Sequence, residues 1–287
     1  MARKRNSERL GAPRHPEDTS STAAAVATQS NDIFSFVTPT EFVELPSQGR
    51  FYGENSTLHG RDMVEIRHMT AKEEDILTSE ALLRKGLALD RMLQTLLVDQ
   101  TIKLDDFLVG DKNALVVATR ITGFGPDYIT SLTCPNCSNI NETEFDLTTL
   151  TFNSVEDLPD EVTRTDEGTF AFVLPTTQVT VEVRLLTTAH EKALSAATEK
   201  RKKLNLPDSR STDLLKAVLV SVNEVTDVTM VNKFAELMPS RDSRFLRHVY
   251  EKIKPDIDLA HEFTCESCSF VGKVVMPLTA EFFWPHA

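Results

Sequence analysis

The chain has 287 residues, 40% of them apolar, enough for one large domain or two small ones with a core of their own. Its 31 basic against 43 acidic residues leave a net charge of −12, which works against phosphate backbones and anionic lipid, so no nucleic acid and no membrane surface is expected as a partner. No apolar run approaches the roughly 18 residues needed to cross a bilayer, and the stretch Ala23–Ala27 behind Arg3, Lys4 and Arg5 is too short and too weakly apolar for an export signal.

Residues 1–32 hold almost no large apolar side chains and read as a disordered N-terminal tail. With five Lys or Arg in its first 14 residues, the tail is either a solvated extension or an arm that orders against a partner. An N-terminal α+β domain is expected over 33–150. Its strands are Phe42-Val43-Glu44-Leu45 and Met63-Val64-Glu65-Ile66-Arg67, with Pro46, Gly49, Gly53 and Gly60 marking turns between them. Thr70 and Glu73 form a capping-box pattern that opens a helix running to about Arg84, with Gly86 as its stop. In the next helix Leu89, Met92, Leu93, Leu96 and Leu97 recur as one apolar stripe. Asp111 is positioned to cap a third helix through about Thr122, and a strand through Tyr128 and Leu132 leads into the first cysteine pair.

Residues 151–168 are acidic and turn-rich and read as a loop. Strands follow at 170–174 and 178–186. Thr188 and Glu191 repeat the capping-box spacing, opening a helix that closes on Lys200-Arg201-Lys202-Lys203, cations suited to the negative end of a helix dipole. Further helices are expected at 212–222, 228–237 and 241–253. The stretch 151–256 therefore reads as an inserted, mainly helical α+β subdomain, followed by a second knuckle and an aromatic tail at 257–287.

The only four cysteines are Cys134, Cys137, Cys265 and Cys268. Without export they meet a reducing cytosol, where C-x-x-C pairs are metal ligands or redox groups more often than disulfides. Two such knuckles complete a tetrahedral shell of four thiolates, the ligand set of structural zinc, one ion per chain. The 127 residues between Cys137 and Cys265 are far more than usual. Against that, Leu132-Thr-Cys-Pro-Asn-Cys-Ser138 matches Phe263-Thr-Cys-Glu-Ser-Cys-Ser269 at an offset of 131, which Leu147 and Leu278 keep. The pattern predicts a zinc ribbon whose two arms flank an insertion with neighbouring ends. A redox pair would want a thiolate at a helix N-terminus, and both pairs here lie between strand-like segments. Four free or partly oxidised thiols are the remaining alternative.

No other catalytic pattern stands out: there is no G-x-S-x-G, G-x-x-x-x-G-K-[ST], H-E-x-x-H or G-x-G-x-x-G. Glu73-Glu74-Asp75 sits in a first helical turn, where the dipole favours carboxylates. The chain is not expected to be an enzyme.

Several stretches together resemble the T4-type bacteriophage baseplate hub family: Leu45-Pro-Ser-Gln-Gly-Arg-Phe-Tyr52, Met69-Thr-Ala-Lys-Glu-Glu-Asp-Ile-Leu77, Leu108-Val-Gly-Asp-Lys-Asn-Ala114, Arg120 to Tyr128, the Cys134–Cys137 knuckle, the closing Cys-x-x-Cys and Phe282-Phe283-Trp284-Pro285. The resemblance implies a structural part of a contractile-tail baseplate, present in multiple copies in the virion and assembled in the host cytoplasm. It implies neighbours among hub, wedge, tail-tube or tape-measure proteins and no catalytic residues. Two other roles are weighed: a hub assembly chaperone that leaves the particle, and a zinc-ribbon nucleic-acid-binding accessory protein, which the charge disfavours. The terminal aromatics are expected either to anchor into a partner or to form a final strand folded back on the chain's own core.

Overall fold

A computed structural model of the chain describes residues 38–153, 158–165, 167–276, 278 and 280–283. The expected tail at 1–32, part of the acidic stretch 151–168, and Trp284-Pro285 lie outside the described residues. From Thr38 onward the chain is one compact unit of mixed helix and sheet.

Strands β1 (Thr40–Glu44) and β2 (Met63–Arg67) pair antiparallel with Val43 opposite Val64. The two-residue period buries Val43, Val64 and Ile66 and turns Phe42 and Met63 outward. The helix expected to run to Arg84 is instead two, α1 (Ala71–Thr78) and α2 (Glu80–Leu83), broken at Ser79 (ψ 106°). The Thr78 hydroxyl bonds back to Glu74 O at 3.0 Å, the competition for helical carbonyls that hydroxyl side chains bring. Helix α3 (Ala88–Leu96) buries Met92, Leu93 and Leu96, as its stripe predicts.

Helix α4 (Val109–Phe124) starts at Leu108, so Asp111 does not cap it. Distant partners take the first-turn amides: Leu108 N donates to the Tyr52 hydroxyl (2.9 Å) and Val109 N to Leu186 O (3.1 Å). Asp111 is fully buried and accepts from Ser47 N (2.9 Å), Ser47 Oγ (2.6 Å) and Tyr52 OH (2.5 Å). Burial lifts its carboxyl pKa, which the Ser47 and Tyr52 hydrogen bonds oppose. Gly110 presses on the chain at Pro255, where an added Cβ would stand 1.9 Å from the Pro255 carbonyl oxygen, and Asn113 Nδ2 donates to Asp256 Oδ1 at 2.9 Å. The Leu45–Tyr52 and Leu108–Ala114 stretches are therefore two halves of one buried polar contact.

After α4 come the hairpin strands β3 (Asp127–Thr133) and β4 (Ile140–Asp146). A four-stranded antiparallel sheet follows in the order β5 (Thr163–Arg164), β6 (Phe170–Val173), β7 (Thr180–Val183), β8 (Leu219–Val222). Two of these strands differ from expectation. Strand β5 lies inside the stretch read as loop, beside buried Val162. Strand β8 replaces the end of the helix expected at 212–222, because helix α6 (Arg210–Val218) stops at Val218. The free edge of β7 takes Leu219–Val222, and Ser221 Oγ donates to Glu182 Oε2 across it (3.0 Å).

Helix α5 (Thr188–Lys203) is capped by Thr187, one residue before the expected Thr188, with Thr187 N donating to His190 Nδ1 at 3.2 Å. Its last turn carries Lys200–Lys203 as expected. Helices α7 (Val228–Leu237) and α8 (Ser240–Ile253) complete the helical set, and Asp242 of α8 accepts from Thr176 N (2.7 Å) and Thr177 N (3.0 Å) at the β6–β7 turn.

The two ends of the stretch 151–256 are tied to each other. Asn153 N donates to Asp256 O (2.9 Å), Asp258 N to Thr151 O (2.8 Å), and Phe152 bridges Ile257. The last hairpin, β9 (Ala260–Thr264) and β10 (Val271–Val275), leads to a 3-10 turn at Ala280–Phe283. Phe282 and Phe283 are fully buried, so of the two fates expected for them the chain takes the folded-back one, though as this 3-10 turn and not as a strand. Phe282 packs edge-on against Tyr128 at 4.8 Å between ring centroids, within the aromatic range.

Candidate metal centre

Each cysteine pair sits at the tip of a two-stranded hairpin, and the hairpins repeat each other residue for residue. In the first, Cys134 N donates to Asn139 O (2.8 Å) and Ser138 N to Cys134 O (2.9 Å). In the second, Cys265 N donates to Phe270 O (2.9 Å) and Ser269 N to Cys265 O (2.9 Å). Ser138 (φ 61°) and Ser269 (φ 53°) both adopt the left-handed conformation that turns the chain back into its second strand. The strands keep the 131-residue offset too, since Leu132 opposite Asn141 matches Phe263 opposite Gly272.

The tips meet so that the sulfurs interleave. Cys134 Sγ lies 3.7 Å from Cys268 Sγ, Cys137 Sγ lies 3.7 Å from Cys265 Sγ, and all four fall within 4.8 Å of one another. Four sulfurs at about 2.3 Å from one tetrahedral ion stand about 3.8 Å apart, so the spacing suits a shared ion. A disulfide would need about 2.05 Å. All four expected ligands are brought together.

The thiol environments are unequal. Burial raises the Cys265 pKa, yet the backbone N–H groups of Cys268 and Ser267 and the neighbouring thiols bring it down to about 6. The Asn136 side chain and the Phe270 backbone N–H lower that of Cys268. The Asn139 backbone N–H lowers that of Cys137, but the other three sulfurs and burial push it up to about 12. All four sulfurs need to be thiolates for a cation to bind, so binding releases the protons they carry.

Two asparagines complete the surroundings. Asn136 Nδ2 points at Cys268 Sγ and Asn141 Nδ2 at Cys265 Sγ, each at 3.5 Å. Asn141 Oδ1 also accepts from Glu266 N at 2.9 Å, so this one buried side chain joins both hairpins. Asn139 Nδ2 adds a link to Ser267 Oγ. Such donors orient sulfur ligands and spread their charge. Sequence reasoning missed Asn141; its signal is an amide at an inward position of an alternating strand, where an apolar residue belongs.

Behind the hairpins, Arg120 of α4 is buried and has no ion-pair partner among the described residues. It donates to three carbonyls, Phe282 O (2.9 Å), Gly125 O (2.7 Å) and Asp127 O (3.1 Å), and its guanidinium lies 5.4 Å from the Phe124 ring centroid. One side chain thereby fixes the entry to the first hairpin and the C-terminal turn.

A family model described as T4 bacteriophage base plate protein matches residues 38–284. No curated protein and no solved structure matches the chain. No helix among the described residues is long and apolar enough to cross a membrane.

Proposed function

The chain belongs to the T4 bacteriophage base plate protein family, and from that premise we propose that it is a non-enzymatic structural subunit of a contractile-tail baseplate hub, closed by one structural zinc ion. The observation that carries this reading is the junction of Cys134, Cys137, Cys265 and Cys268, which leaves no open coordination position for a substrate or a water once an ion is bound. Four thiolates from two hairpins would make the metal a clasp across the two ends of the 151–256 stretch. A part of an assembly that transmits force benefits from such a clasp, because metal affinity adds directly to the cost of local opening.

Hub neighbours, tail-tube or tape-measure proteins are the partners this reading supplies, with a location in the virion tail after assembly in the host cytoplasm. Mass spectrometry of purified mature particles, with zinc quantified in the isolated chain, tests it. Stoichiometric presence in the particle is expected. Absence from finished particles would favour an assembly factor that departs, and a folded, metal-free chain would remove the clasp.

A further inference from the structure

Two surfaces of opposite character are left over from the fold. The first is the turn between α5 and α6. Five bases and one carboxylate lie between Lys200 and Arg210, in a chain whose net charge is −12. Arg201 is drawn to Asp213 (3.5 Å) and Arg210 to Asp208 (3.0 Å), but Lys200 and Lys202 have no ion-pair partner among the described residues. Two leucines stand out beside them, Leu204 at 60% and Leu206 at 50% exposure. A solvated helix end accounts for the lysines and leaves those leucines unexplained.

The second surface is the outer face of the β3–β4 ribbon. Asp127 is directly opposite Asp146, Ile129 opposite Glu144 and Ser131 opposite Glu142. Only Asp127 and Asp146 set like charges directly opposite each other, which is destabilising, while Glu142 and Glu144 add two further carboxylates to the same face. The segment 127–146 itself contains no Lys, Arg or His, and none of these carboxylates has an ion-pair partner within 4.0 Å among the described residues, although buried Arg120 lies near Asp127. Ile129 and Ile140 are exposed among the acids at 45% and 69%. The face thus pairs a charge opposite to that of the α5–α6 turn with exposed apolar side chains of its own.

We propose that the basic, leucine-bearing turn between α5 and α6 docks onto the acidic, isoleucine-bearing face of the β3–β4 ribbon of a second copy of this chain. The lysines meet the carboxylates while Leu204 and Leu206 cover the isoleucines, an arrangement in which charge selects the partner and apolar contact adds affinity. Because turn and ribbon are different parts of the chain, two copies can make the contact reciprocally across a two-fold axis, or successive copies can make it head to tail. This goes beyond the proposed function, since it rests on charge and exposure and does not require the metal or a place in the baseplate.

The test is sedimentation velocity of the full chain over a concentration series at low and high salt. Concentration-dependent association is expected at low salt and dissociation at high salt, as the exposed charges are screened. A turn variant, Lys200→Glu with Lys202→Glu and Lys203→Glu, and a ribbon variant, Asp127→Lys with Glu142→Lys and Glu144→Lys, are each expected to weaken association about tenfold or more. Mixing the two variants should restore it, because each then presents the other's complement, and that recovery shows that both are folded. A wild-type chain that stays monomeric throughout, association indifferent to salt and to both reversals, or a mixture that fails to recover would each overturn the proposal.

Discussion

Arg120 Nε donates to the carbonyl oxygen of Phe282 at 2.9 Å, joining residues 162 apart in the chain. Arg120 is 1% exposed and forms no ion pair among the described residues; three backbone carbonyls and the flanking aromatic rings receive its charge. Those carbonyls belong to Gly125 and Asp127, at the entry to the first cysteine hairpin, and to the turn after the second. The guanidinium thus ties together, from inside, the two segments that the sulfurs bring together at the hairpin tips.

Arg120→Ala should therefore destabilise the fold by about 3–5 kcal/mol, the cost of leaving several buried acceptors unpaired and an aromatic cavity unfilled. Arg120→Lys keeps the charge but cannot reach three acceptors in one plane, so it should recover less than half of that loss. Urea unfolding of the three proteins at matched zinc checks both. Equal stability of the lysine variant and the wild type would mean that charge, not the fork of donors, is what the site needs.

Metal analysis should find about one zinc per folded chain, since four cysteines complete one tetrahedral shell. Cys134→Ser and Cys265→Ser remove buried ligands, one from each hairpin, and should lose both the ion and the cooperative melt. Asn141→Ala leaves all four sulfurs in place while removing the donor to Cys265 and the acceptor for Glu266 N. Zinc affinity in that variant should fall by about 10- to 100-fold, the usual range for loss of a group that orients a ligand. Competition with a chromophoric chelator measures it.

What could be read from sequence was what local pattern decides. The alternation in Met63–Arg67, the stripe on α3 and the matched knuckles each declare themselves within a few residues. Four thiols meeting across 127 residues was legible only because the second arm repeats the first at the same offset. The misses share one physical cause, a distant partner outweighing a local preference. Leu219–Val222 is apolar enough to continue a helix, and the free edge of β7 takes it as a strand. Asp111 has the chemistry of a cap, but Ser47 and Tyr52 draw it inside. Phe282 and Phe283 resemble an exposed anchor until Arg120 and Tyr128 supply an interior for them.

Acid should reveal Glu73. Burial raises the pKa of this carboxyl, but hydrogen bonds from the Thr70 hydroxyl and backbone and from Arg67 outweigh it and hold the pKa below 4.5 in the fold. A folded pKa below the unfolded one means stability that is present above the unfolded value and is lost as pH falls through the folded one. Glu73→Gln should cost about 1–2 kcal/mol at neutral pH, where wild type keeps charge-assisted bonds that the amide lacks. The gap between the two proteins should narrow as pH falls from the ordinary glutamate range through the lowered folded pKa, where wild type loses its charge. Denaturant midpoints across that window read it out, and a gap that stays constant would assign the loss to packing.

Helix α4 offers a paired substitution in which propensity and packing pull in opposite directions. Alanine is favoured over glycine inside a helix by about 1 kcal/mol. At Gly123 the nearest obstacle to an added Cβ is the end of the Met69 side chain at 2.5 Å, which can swing aside. At Gly110 the obstacles are backbone, the Pro255 carbonyl oxygen at 1.9 Å and Asp256 Cα at 2.7 Å, and moving them means pulling α4 away from the segment that returns the chain to the second hairpin. Gly123→Ala should be neutral or stabilising by up to about 1 kcal/mol, whereas Gly110→Ala should destabilise by about 2 kcal/mol or more, because overpacking against backbone exceeds the propensity gain. Thermal melts of the two variants decide the matter. If Gly110→Ala melted at or above the wild-type temperature, the close approach of α4 to Pro255 would be wrong, and with it the reason glycine stands in the Leu108–Ala114 stretch.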